Sequence, residues 1–248
     1  MTTLIFIHSS GLGPSQWKRY QEDFDQWHPI VPALLDYEQE GHTADFSQFT
    51  IDDDVALIEG VLPEDEDVVL VGHSYGGMVA LQLALKDPER IQGMVLFEPV
   101  AYGIVREGIE DKEEMEKTIT TFLKKGHISP KMWIEVFLDY WNGDGAFAAM
   151  NAEQKVPFLR HANKIFAEVR NLMADETGAA AYEALQMPVM VMAGEKTITE
   201  MNYLCSKLVQ HLPQGELHHI EDAGHMAPVT EYGKVAHHLL RFLEQLQS

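Results

Sequence analysis

A chain of 248 residues, 46% of them apolar, is long enough for one large domain with a sizeable core, and no apolar run approaches the ~18–20 residues that cross a bilayer. Its 18 lysines and arginines against 39 aspartates and glutamates leave a formal charge of −21, which repels phosphate backbones and anionic membranes; the partner expected is a small molecule, not a nucleic acid. One cysteine, Cys205, rules out an internal disulfide and a cysteine-rich metal site.

The opening MTTLIFIHSS has no basic segment and is only briefly apolar, so it reads as a strand and not as a leader peptide. Together with the lone cysteine this makes a cytoplasmic protein the expectation. PSQWKRYQEDF, with proline at its start and aromatics at helical spacing, reads as a helix. HPIVPALL is a short strand candidate, and DFSQFTIDDDVALIEGVL a helix ending before Pro63. DVVLVGHS is a continuous apolar run of the kind that is buried on both faces of a sheet. GGMVALQLALKD is a helix stopped at Asp87–Pro88, and IQGMVLFEPV the next strand.

From Ala101 to Met187 the pattern changes to helical segments alone: KEEMEKTITTFLKK, PKMWIEVFLDYW, VPFLRHANKIFAEVRNLMA and GAAAYEALQ. Strand and helix then alternate again through PVMVMAG, TEMNYLCSKLVQHL, GELHHIED and KVAHHLLRFLEQLQ. The alternation predicts an α/β fold with a parallel sheet of about six strands. Residues 1–100 and 188–248 form its core, and 101–187 are a helical insertion.

VGHSYGGMVA, Val71 to Ala80, puts Ser74 between a buried strand and a helix, with Gly72, Gly76 and Gly77 around it. A strained strand-to-helix turn that lifts a serine above the sheet edge needs small residues on both sides. Ser74 is the candidate nucleophile. Among twelve histidines, His225 in EDAGHMAPV follows the last strand, is flanked by Gly224 and precedes the last helix. His218, His219, His237 and His238 lie within strand or helix patterns and read as surface or packing residues, and His73 as a packing residue.

With FIHSSGLGPSQW, DPERIQGMVLFEP and MPVMVMAGE, these motifs make the chain resemble the α/β-hydrolase superfamily over essentially its whole length. The resemblance implies a serine hydrolase, an esterase for a small or medium acyl group, without cofactor or metal. Its sheet is expected to lack the family's N-terminal antiparallel strands, and the helical insertion is expected to act as a lid. Hydroxynitrile lyases, cofactor-free haloperoxidases and ligand receptors that retain the triad share the motifs; a lyase needs a cationic group near the serine. The family's oxyanion donors fall on the backbone N–H of Tyr75 and of Ser10, in a loop that reads His8-Ser9-Ser10 where His-Gly is usual. The usual acid position, three residues beyond Gly194, holds Thr197, which carries no charge. Glu98, Glu195, Glu200 and Asp222 remain. Asp222 reads as fixing its own turn, and Glu195 and Glu200 miss the usual offset. Glu98, at the carboxyl end of the strand after the nucleophile helix, is the candidate acid. In the lid, Trp133, Phe137, Tyr140, Trp141, Phe158 and Phe166 are candidate pocket walls, whereas Arg160 and Lys164, one turn apart, read as a solvated face.

Overall fold

The computed structural model of the protein describes residues 2–37, 45–107 and 112–247; residues 108–111 of the expected insertion lie outside that set. Thr2–Ile7 forms β1, Lys18–Asp23 α1, Ile51–Glu59 α2, Asp67–His73 β2, Tyr75–Lys86 α3 and Ile91–Phe97 β3. Six helices follow: α4 (Tyr102–Glu107), α5 (Lys112–Ile128), α6 (Pro130–Asn142), α7 (Ala146–Ala149), α8 (Ala152–Arg160) and α9 (Ala162–Ala174). The alternation resumes with β4 (Val189–Gly194), α10 (Thr199–His211), β5 (Gly215–Ile220), α11 (Ala227–Thr230) and α12 (Tyr232–Leu246). Among the described residues, no helix is long and apolar enough to cross a membrane.

Local chemistry explains the ends. Thr50 opens α2 in a reciprocal capping box with Asp53, which starts that helix six residues later than its sequence suggests. Pro130 takes the first position of α6, where its missing N–H costs nothing. The segment expected as one helix over 156–174 is broken at His161 into α8 and α9. GAAAYEALQ forms a 3-10 helix over Ala179–Ala184.

The sheet of the described residues has five strands in the order β1-β2-β3-β4-β5, every pair parallel. The expected sixth, HPIVPALL, contributes a single parallel bridge, Ile30 to Ile5, through Phe6 N–H to Ile30 O and Ile30 N–H to Leu4 O. Two prolines explain the loss. Pro29 and Pro32 have no N–H to donate, and His28 takes a left-handed turn (φ 47°) into the segment.

Alternate strand residues feed two cores. Ile5, Ile7, Leu70 and Val191 meet α2, α3 and α10; Leu4, Phe6, Val71 and Met192 meet Trp17, Tyr20 and the apolar side of α12. A third cluster lies within the helical block, where Trp133, Ile134, Phe137, Ile165 and Phe166 pack α6 against α9.

A close backbone approach lies where α3 begins. A Cβ on Gly76 would stand 2.2 Å from the Ile7 carbonyl oxygen and 2.6 Å from that of His8, and one on Gly77 would meet Pro99 at 2.9 Å. These glycines let α3 press against the ends of β1 and β3. Gly76→Ala is therefore expected to cost about 3 kcal/mol or more, because backbone on both sides must shift. Thermal unfolding should show a Tm lower by roughly 6–12 °C at ~2–4 °C per kcal/mol; an unchanged Tm would contradict this packing.

Candidate active site

Ser74 occupies the reversal between β2 and α3 at φ 55°, ψ −116°, a conformation rarely adopted by a residue with a Cβ. Its backbone is pinned from two directions: its N–H donates to Phe97 O at 3.0 Å, and its carbonyl accepts from Met78 at 3.2 Å. The side chain is thereby presented at the carboxyl edge of the sheet.

There the Ser74 hydroxyl Oγ lies 3.1 Å from His225 Nε2, and His225 Nδ1 lies 2.6 Å from Glu98 Oε2. All three are buried. Glu98 follows β3 with φ 44°, a second left-handed non-glycine position, which turns its carboxylate across the end of β4. There Oε1 accepts from Gly194 N–H and Oε2 from the Thr197 hydroxyl, both at 2.8 Å. Thr197 thus donates to the Glu98 carboxylate with its hydroxyl. The other acids are elsewhere: Asp222 is exposed and paired with Lys196 at 3.0 Å, exposed Glu195 accepts from Asp222 N–H, and Glu200 is exposed on α10.

Two buried histidines brace this chain, and their partners fix their tautomers. Gln16 accepts from Ser9 N–H with its oxygen, so its amide nitrogen donates to His73 Nδ1 at 3.0 Å. His73 Nε2–H must then donate to the His225 carbonyl at 2.9 Å. His8 Nε2 accepts from Leu34 N–H, leaving Nδ1–H for Ser9 O. Both rings are held neutral. Burial pushes His8 down to about 3, and burial with the neighbouring His225 pushes His73 well below the ordinary value. The loop Ser9–Ser10 is thus tied to the His225 loop through Gln16 and His73. Among the described residues, no protein group accepts from the N–H of Ser10 or of Tyr75.

A cavity beside Ser74 has room for about one water. Ser10, Val100, Tyr102, Phe137, Tyr140 and Trp141 line it, with apolar side chains from α5 and α9, and none of the lining residues is charged. The Trp141 ring stacks on His225, 4.0 Å between centroids and 16° between planes. Of the other aromatic candidates, Trp133 and Phe166 pack inside the helical block, and Phe158 packs near Gly11.

Lys164 corrects the expectation of a solvated face. Arg160 is exposed, but Lys164 is fully buried, paired with Asp54 and Glu168 at 2.7 Å each. Helical spacing carried this signal, since Lys164 and Glu168 share the face of Ile165 and Leu172. Asp54 sits in the run Asp52-Asp53-Asp54, and only its register with buried Val55 and Ile58 marks it. Among the described residues, no three His, Cys, Asp or Glu side chains converge as a metal site.

The sequence pattern described as the alpha/beta hydrolase family matches residues 4–237. The chain is similar to a 2-hydroxymuconate semialdehyde hydrolase of Pseudomonas sp. (strain CF600), 28% identical over 192 residues, which cover 75% of this chain and 54% of that one. It is also similar to a pimeloyl-(acyl-carrier protein) methyl ester esterase of Salmonella heidelberg, 29% identical over 105 residues, 42% of this chain and 40% of that one. The chain thus spans about half the length of the curated relatives it matches. Among solved structures, MenH from S. aureus shares the fold with a TM-score of 0.75 at 18% identity, over 100% of this chain and 95% of that one.

The two neutral histidines set a pH dependence of stability. Each takes up a proton in the unfolded chain below its ordinary value of 6.5 but not in the folded one, so stability is present above that value and is lost as pH falls, for His8 down to about 3. At ~1.4 kcal/mol per pH unit, His8 alone should cost about 2 kcal/mol at pH 5 relative to pH 7.5, and His73 adds to the loss in the same direction. Urea unfolding at the two pH values checks this; equal stability would show that the rings are not held neutral.

Proposed function

Because the chain belongs to the alpha/beta hydrolase family, we propose that it is a serine hydrolase acting on small uncharged carboxylic esters. The observation that carries this reading is the unbroken chain Ser74 Oγ–His225–Glu98, at 3.1 and 2.6 Å. Ser74 attacks the ester carbonyl while His225 Nε2 takes its proton. Glu98, acid of the triad, holds the Nδ1–H tautomer and stabilises the imidazolium. The unpaired N–H groups of Tyr75 and Ser10 receive the developing oxyanion. His225 returns its proton to the departing alcohol, leaving an acyl-enzyme, and a water activated by the same histidine releases the acid. No step calls for a cofactor.

The uncharged lining of the cavity favours an uncharged acyl group, and its aromatic walls a short one. That lining also speaks against lyase chemistry, which needs a cation at the serine. Residues 101–187 act as a lid over the core formed by 1–100 and 188–248. With room for about one water beside Ser74, the lid must move to admit substrate, and Trp141, stacked on His225, moves with it.

A fluorophosphonate should add one label per chain at Ser74 and none to Ser74→Ala; label surviving in that variant refutes the nucleophile. Glu98→Gln should fold and lose up to ~10⁴ in kcat on p-nitrophenyl acetate, while Glu200→Gln stays within a few-fold of wild type. A Glu98→Gln enzyme within a few-fold of wild type removes Glu98 from the triad.

The wall makes a separate expectation. Wild type should favour p-nitrophenyl acetate over octanoate in kcat/KM, and Trp141→Ala should raise the octanoate-to-acetate ratio about tenfold, the ~1–3 kcal/mol reach of a hydrophobic wall. A ratio unmoved by the substitution means that Trp141 does not bound the acyl site.

A further inference from the structure

Lys164 is the one lysine among the largest fully buried side chains of the described residues, and its charge is compensated twice over. Burying an ammonium between two carboxylates is seldom the most stable solution, since apolar residues of similar volume do as well or better. Burial works against the charge of Lys164, but Glu168 and Asp54 outweigh it and hold the ammonium above its ordinary value. Its remaining face lies 4.2 Å from the Phe49 ring.

Each carboxylate leads to one of the two proposed oxyanion donors. Asp54 Oδ2 accepts from the Tyr75 hydroxyl at 2.8 Å, anchoring the residue that follows Ser74. Asp54 Oδ1 accepts from Leu35 N–H at 2.8 Å, so the carboxylate cannot swing away. Glu168 Oε2 accepts from the Tyr37 hydroxyl at 3.3 Å, and that hydroxyl in turn accepts from Gly11 N–H at 2.8 Å, immediately after Ser10. Burial raises the Glu168 carboxyl above its ordinary value, with Lys164 and, more weakly, Ser10 acting to lower it. One ammonium on α9 therefore reaches both loops that supply N–H groups to the site.

We propose that Lys164 is a positioning residue of the oxyanion site: through Asp54–Tyr75 and Glu168–Tyr37–Gly11 it sets the distance between the two N–H donors, and it makes that distance depend on α9 being docked. The inference rests on the serine-hydrolase reading above. It gives the helical block a second task besides covering the serine, because the donors are correctly spaced only when the block is seated.

The test separates the oxyanion from ordinary binding. Full-length wild type, Tyr37→Phe, Glu168→Gln and Lys164→Met are compared on p-nitrophenyl acetate, on a short-chain trifluoromethyl ketone, which forms a tetrahedral adduct with an oxyanion, and on the unreactive ether analogue of the ester. Tyr37→Phe and Glu168→Gln keep the ion pair of Lys164 with Asp54, so they inform even where Lys164→Met fails to fold. The expected result is a loss of about tenfold in kcat/KM, below the ~10²–10³ of a donor removed outright. The ketone should lose the same factor, while the ether binds within two-fold of wild type and Tyr37→Phe keeps a Tm close to that of wild type. Folded variants that bind the ketone as wild type does, or that lose ketone and ether alike, overturn the positioning role. Wild-type protein that takes neither ketone nor fluorophosphonate overturns the serine-hydrolase reading and this inference with it.

Discussion

The site depends on one backbone reversal, the left-handed turn at Ser74. A residue with a Cβ holds such a conformation only where its surroundings over-determine it. Here Phe97 and Met78 fix the backbone of the serine, and Gly76 and Gly77 allow α3 to lie on the ends of β1 and β3. The same contacts bring the Ser9–Ser10 loop of β1 and the Glu98 turn of β3 to the serine. Three segments distant in sequence meet because two glycines have no side chain.

Around that turn, neutral polar groups do the aligning. Gln16, His73 and His8 form a set of hydrogen bonds in which every donor faces an acceptor, and that fixes both ring tautomers without charge. Charge enters at the Glu98 carboxylate against His225 and at the Lys164 cluster behind the loops. Glu98 shares its oxygens among Gly194, Thr197 and His225, so its direction is set by β4 as much as by its own strand. Neutral bracing and compensated charge both keep unpaired charge out of a buried site, where it is costly.

Two of the contacts between the helical block and the core differ in kind. Trp141 covers His225 by stacking, a contact without direction that separates at little cost. Lys164 enters between Asp54 and Glu168 in a directional, desolvated pairing that resists separation.

The sequence determined the chain order of strands and helices, the parallel sheet, the helical block and the position of Ser74, because each rests on local spacing: apolar runs, helical periodicity, and glycines flanking a serine between strand and helix. It also ranked Glu98 above its rivals, because a residue at the carboxyl end of a strand must face the crevice. It did not determine the strand count, because two prolines reduced HPIVPALL to one bridge with β1. Nor did it reveal that the Thr197 hydroxyl would bond the carboxylate of Glu98, that Trp141 rather than Trp133 would cover His225, or that Lys164 would be buried between Asp54 and Glu168. These are contacts between residues up to 110 positions apart. Local pattern says which face of a helix is apolar; only the packing of one helix against another decides which polar side chain that face encloses, and with what partner.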